Sequence, residues 1–167
     1  GAPPAALRGR LDLDQDRHAI MILHTAHRAE PGAASRLAIE RILHPRSVAV
    51  FGASEDVSKF GGRIIHFLVR HGFAGEVYPI NPNRSEIVRR KAYPAIAAVP
   101  TPPDVAILAL PGERIVETLA EAAQAGVGCC VVITTGFAEG GVEGIERQAQ
   151  IVELGARTGM RVVGPNC

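Results

Sequence analysis

Residues 48–62, VAVFGASEDVSKFGG, carry a clear chemical signal, the means to hold a phosphate. An apolar run stops at Gly52, and a small-residue turn follows. Gly52 and Ala53 let the backbone turn tightly and approach a ligand closely. Ser54 offers a hydroxyl, and Lys59 offers a cation. Gly61 and Gly62 open the next helix, whose free N–H groups attract an anion. The spacing departs from Gly-x-Gly-x-x-Gly, which counts against a standard dinucleotide site.

The stretch Asn81-Pro82-Asn83-Arg84 discriminates further. An NAD site ordinarily places Asp or Glu at this point for the ribose hydroxyls. Arg84, with Lys91 as a second cation, suits a phosphate on the ribose instead. NADP and coenzyme A both carry a ribose phosphate and a diphosphate, so both stay open on these residues. Thr134-Thr135-Gly136-Phe137 is hydroxyl-bearing and glycine-hinged, and it suits the path of a long thin ligand arm. Each loop also has a plainer reading: a tight strand–helix turn, a solvated arginine, and a turn anchored by Phe137. No catalytic group stands out. His66 and His71 lie on a helix and are not read as nucleophiles, and no hydride-transfer residues are visible. His18, His24 and His27 lie near one another, but no carboxylate or cysteine completes a metal site.

Regular elements must position these loops. Ser47–Phe51, Glu76–Ile80, Asp104–Leu110, Gly128–Thr134 and Arg161–Val163 have the short apolar character of buried strands. Between them lie helical patterns. Gly62–Arg70 presents Ile64, Ile65, Leu68 and Val69 on one face, with Gly72 as its stop. The next starts at Pro111, buries Ile115, Val116, Leu119, Ala122 and Ala123, and stops at Gly126. Glu143–Arg157 is expected to turn Ile145, Ala149, Val152 and Ala156 inward, with Gly159 as its stop. Strand starts about 25–32 residues apart match βαβ units. Right-handed crossovers then give an α/β fold, a Rossmann-like, doubly wound open parallel sheet with helices on both faces. In such sheets ligands sit outside the carboxyl ends of the strands, at the switch in strand order. The notable loops all fall at that edge: 52–62, 81–84, 110–112, 134–140 and 164–167.

Composition agrees. The 167 residues fit one domain with a short appendage, and 47% are hydrophobic, with 4% aromatic and no Trp. An Ala/Val/Ile/Leu core suits a parallel sheet covered by helices. A net charge of +1 provides no basic field for nucleic acid. Residues 1–34 read as an N-terminal extension, with a Gly/Pro/Ala-rich start, a helical pattern over 16–30 and a break at Pro31-Gly32. Its longest apolar stretch, Ala19 to Leu23, is too short for a signal-peptide core or a membrane span. The domain proper is expected over 35–167, with Ser35 capping a short helix from Arg36 to Leu43. Cys129 and Cys130 are adjacent and point to opposite strand faces, so with Cys167 they form no disulfide framework, and a reducing cytoplasm is the default.

Taken together, HPRSVAVFGAS, GFAGEVYPINPN, YPAI, PPDVAILALP, VVITTGFAEGG and GMRVVGPNC follow in an order that resembles a known family. They are similar to the N-terminal CoA-binding domain of the NDP-forming acyl-CoA synthetases, related to the succinyl-CoA ligase α subunit. The resemblance covers residues 36–167. It implies coenzyme A as cofactor, with Gly52, Ala53 and Ser54 on the first CoA loop. Asn81, Pro82 and Arg84 fall at the adenosine-phosphate end, and Ile133, Thr134 and Thr135 on the loop along the pantetheine arm. Pro111 belongs to the loop after the third strand, while Gly164, Pro165, Asn166 and Cys167 fall near the thiol and acyl group. In that family the full enzyme takes acyl-CoA, phosphate and NDP to acid, CoA and NTP through an acyl phosphate and a phosphohistidine. The histidine lies on a domain after the GPNC motif, so the resemblance implies a binding domain from a longer enzyme, inactive alone. Its implied partners are CoA or acyl-CoA, and ligase and ATP-grasp domains on this chain or another subunit. A homo-oligomer stays open. A non-catalytic CoA module, as in some protein acetyltransferases, and an NADP oxidoreductase domain are the alternatives.

Overall fold

The computed structural model describes residues 39–167. The readings made for 1–34, including the three histidines, and the Ser35 cap lie outside the described residues. Residues 39–43 are helical. Strand β1 (Ser47–Phe51) is followed by helix α1 (Phe60–Arg70) and strand β2 (Glu76–Ile80). A small antiparallel hairpin of β3 (Glu86–Ile87) and β4 (Arg90–Lys91) comes next. Strand β5 (Val105–Leu108) leads through a 3-10 turn at Gly112–Arg114 into α2 (Ile115–Gln124). Strand β6 (Cys129–Val132), helix α3 (Val142–Thr158) and strand β7 (Arg161–Val163) complete the order.

Five strands form one parallel sheet in the order β2-β1-β5-β6-β7. The order reverses between β1 and β5, so the switch point lies between their carboxyl ends. Strand alternation decides which helix covers which face. Val48, Val50 and Val77 pack with Ile65 of α1 on one side. Ala49, Phe51, Ala106, Leu108, Cys130 and Val132 pack with Ile115, Leu119, Ile151 and Leu154 of α2 and α3 on the other. Each fully buried aliphatic side chain contributes about 1.5–3 kcal/mol. The predicted α/β, doubly wound sheet with helices on both faces is therefore the observed fold.

At the amino end of β5, Asp104 ties the preceding segment down. Its carboxylate accepts from the Arg46 N–H at 2.9 Å and Arg46 Nε at 3.4 Å, while its own N–H donates to Ser47 Oγ at 3.0 Å. The helices stop where expected, before Gly72, Gly126 and Gly159, all at positive φ.

Two features differ from expectation. Helix α3 buries Gly144, Ile151 and Leu154. The residues expected inward, Ile145, Ala149, Val152 and Ala156, are exposed, Ile145 at 55% and Val152 at 67%. Gly144 explains the choice: a Cβ there would collide with the Phe137 carbonyl, so only this face lets α3 close onto the buried Phe137 loop. The β3–β4 hairpin carried no sequence signal. Its turn residues Val88 and Arg89 have φ of 50° and 58°, a conformation that ordinarily selects Gly or Asn.

Candidate functional site

The loops at the carboxyl edge meet through their backbones. Gly52 sits at φ 73°, and a Cβ there would run into the Ala109 carbonyl, so β1 and β5 touch at the switch point only because residue 52 is glycine. A Cβ on Gly61 would in turn strike the Gly52 carbonyl, and one on Gly62 the Asp56 carbonyl. The two glycines thus seat the start of α1 directly on the first loop. The first helical bond, Arg63 N–H to the Lys59 carbonyl, is 3.0 Å and leaves first-turn N–H groups without intrahelical partners.

Asp56, which sequence reasoning passed over, braces this loop. It accepts from the Ser58 hydroxyl at 2.6 Å and the Ser58 N–H at 2.9 Å. Those bonds, with the Lys59 ammonium beyond them, hold its carboxyl below the ordinary value. The Ser54 hydroxyl accepts the Asp56 N–H at 3.1 Å.

Three clefts line the edge and share walls. The first, about 460 Å³, is bounded by Gly52, Lys59 and Pro111 on one side and by Ile133, Thr134, Thr135 and Asn166 on the other. The second, about 310 Å³, contains Gly52, Asn81 and Pro82. The third, about 250 Å³, contains Ser54, Lys59, Asn81 and Arg84. Gly52 joins the first to the second, Lys59 the first to the third, and Asn81 the second to the third. The candidate residues therefore gather along one trough, except Ala53, which is 1% exposed and packs in the core.

Several of them are committed to structure. Asn81 Nδ2 donates to the Ala53 carbonyl at 2.8 Å, and its Oδ1 accepts the Asn83 N–H at 2.8 Å. Its side chain therefore clamps two loops together. The Thr134 hydroxyl donates to the Leu110 carbonyl at 2.7 Å, and the Thr134 carbonyl accepts the Asn166 N–H at 3.1 Å. Arg84 is exposed and forms no ion pair with any described residue. Lys91 departs from expectation: its ammonium lies 5.1 Å over the Tyr93 ring, and it lines none of the three clefts. Sequence reasoning also missed Phe60, which is 61% exposed, lines the first cleft and carries the Arg63 guanidinium 4.4 Å over its ring. Its position between Lys59 and Gly61 was the available signal.

A larger cavity, about 730 Å³, lies between α1 and the β3–β4 hairpin. Its walls mix Glu55 and Glu86 with Arg89 and Arg90, it contains no candidate residue, and it shares Glu55 with the third cleft.

The family model for a CoA binding domain matches residues 46–167. The chain belongs to the CoA-binding domain family. Of the two ligands left open by Arg84, the family selects coenzyme A. The domain is 41% identical over 125 residues to the ADP-forming acetate–CoA ligase II of Archaeoglobus fulgidus, covering 75% of this chain and 19% of the relative. It is 37% identical over 129 residues to the α subunit of the ADP-forming acetate–CoA ligase II of Pyrococcus furiosus, covering 77% and 28%. The fold matches the dinucleotide-forming acetyl-coenzyme A synthetase 1 of Ca. Korarchaeum cryptofilum, solved with phosphate and ADP, with a TM-score of 0.73 and 41% identity over 77% of this chain and 27% of that one. This CoA-binding domain is thus homologous to a part of the NDP-forming acyl-CoA synthetases, and the chain spans less than a third of these relatives' length. No helix of the described residues is long and apolar enough to cross a membrane.

Proposed function

We propose that this domain lays coenzyme A along the carboxyl edge of the sheet and presents its thiol within an NDP-forming acyl-CoA synthetase. The observation that carries the reading is that the three clefts at the carboxyl edge adjoin, sharing Gly52, Lys59 and Asn81 as wall residues. Arg84 and Lys59, with the Ser54 hydroxyl, meet the phosphorylated adenosine head. The first-turn N–H groups of α1 and the close backbone at Gly52 meet the diphosphate. Pro111, Ile133, Thr134 and Thr135 flank the pantetheine arm, and Asn166 stands at the thiol end. Ala53 and Asn81 act by holding the two loops in register.

The domain contributes binding and orientation. The proposed parent is an acid–thiol ligase that takes acyl-CoA, phosphate and NDP to acid, CoA and NTP, with ligase and ATP-grasp domains on this chain or another subunit. A thermal-shift comparison tests the cofactor assignment. CoA at about 100 times its Kd should add about 2.7 kcal/mol of stability. Dephospho-CoA should add less and NADPH almost nothing. No heat on titration with millimolar CoA, or an equal response to NADPH, overturns it.

A further inference from the structure

The outward side of α3 carries an exposed apolar stripe. Val142, Ile145, Ala149, Val152 and Ala156 recur at alternating steps of three and four, the spacing by which two helices interlock side by side. All five are exposed, Val142 at 74%, although α3 also buries a separate face in the core. The small residues Ala149 and Ala156 alternate with larger ones, which leaves room for a partner's knobs. A helix that serves only as a lid on its own sheet has no need of a second apolar stripe at this period.

Charge identifies what the seam accepts. Glu146 and Glu153, both exposed, follow Ile145 and Val152 and run along one border of the stripe. An antiparallel copy of α3 would set this acidic row against itself. A parallel copy would set it against Gln148 and Gly155, which supply no cation. We propose that the seam docks an amphipathic helix bordered by Lys or Arg, carried by another domain of the ligase. This rests on the ligase reading above, in which most of the enzyme lies outside this domain; its relatives are several times longer than the matched part.

Thiol labelling tests it directly. Val152→Cys in a Cys167→Ser background places one reactive thiol on the seam, because Cys129 and Cys130 are buried. Maleimide should label it rapidly in the 167-residue chain and at least about tenfold more slowly in the full-length ligase, where reaction must await opening of the contact. Gln150→Cys, exposed and off the stripe, should label equally in both. Glu146→Lys with Glu153→Lys should restore rapid labelling of position 152 in the full-length ligase. Equal rates at position 152 in the two proteins, or protection that survives the charge reversal, overturns the proposal. So does slow, concentration-dependent labelling of the 167-residue chain by itself, which would make the occupant a second copy. Titration with CoA of the 167-residue chain and the full-length ligase, both with Cys167 intact because it lines the first cleft, reads the cofactor site separately, so loss of CoA binding with intact seam protection, or the converse, assigns the failure.

Discussion

Replacing Gly61 by alanine sets two effects of opposite sign against each other. In an exposed helix position, Gly→Ala stabilises by roughly 1 kcal/mol. At Gly61 the new Cβ would lie 2.7 Å from the Gly52 carbonyl carbon and 3.2 Å from the Ala53 nitrogen, and closer still to the Gly52 oxygen. Those atoms are backbone at the end of a central strand, so no side-chain rotation relieves the clash. The first loop must instead retreat by roughly 1 Å. Overpacking of this kind costs about 1–3 kcal/mol, and a backbone collision belongs at the upper end. The net expectation is a loss of about 2 kcal/mol, which for a domain of this size lowers Tm by roughly 6–10 °C. The loop that moves is also the wall shared by two of the clefts. CoA affinity should therefore fall at least about tenfold, since a misplacement of this size is felt at a positioned contact. Differential scanning calorimetry and CoA titration of Gly61→Ala measure both. A variant as stable as the wild type, with unchanged CoA affinity, would refute the close seating of α1 on the loop.

The remaining predictions address the ligand, the thiols and the sheet's other end. Arg84→Ala should weaken CoA about tenfold by removing one charge-assisted phosphate contact, and dephospho-CoA far less; equal weakening of both, by calorimetric titration, removes the phosphate role. Burial pushes the Cys129 thiol from 9.0 up to about 11 and Cys130 higher still. Because the folded values lie above the unfolded ones, this stability is intact below about pH 9 and is lost as pH rises toward 11. Tm should therefore fall over that window, and both thiols should resist labelling at neutral pH; rapid labelling of either would displace β6. Asp104→Ala strands the Arg46 N–H and should cost about 1–3 kcal/mol by urea unfolding, without changing CoA affinity, since Asp104 lies at the opposite end of β5. An unchanged unfolding midpoint would show that this tie carries nothing.

The five parallel strands were legible because each is a short β-branched or continuous apolar run bounded by Gly or Pro, and Ser47–Phe51, Glu76–Ile80 and Arg161–Val163 match to the residue. The positions of the candidate loops followed from the alternation of strand and helix, since a right-handed doubly wound sheet sends every strand–helix loop to one edge. The hairpin was not legible, because Val88-Arg89 carries no turn chemistry and its two-residue strands are too short for a period.

What the sequence by itself determined is the order of elements and the chemistry gathered at one edge: glycines for close approach, an arginine in place of an acid, and a family pattern spanning six motifs. The tertiary structure decided the rest. Ile145–Val152 and Ile151–Leu154 are both plausible apolar faces of one helix, and periodicity alone cannot rank them. The contact of Gly144 with the Phe137 carbonyl does. Likewise Asn81 and Thr134 are polar residues in ligand loops, yet their donors are turned onto the Ala53 and Leu110 carbonyls. A hydrogen bond between loops 24 or 28 residues apart depends on how the sheet brings them together, and that information exists only in three dimensions.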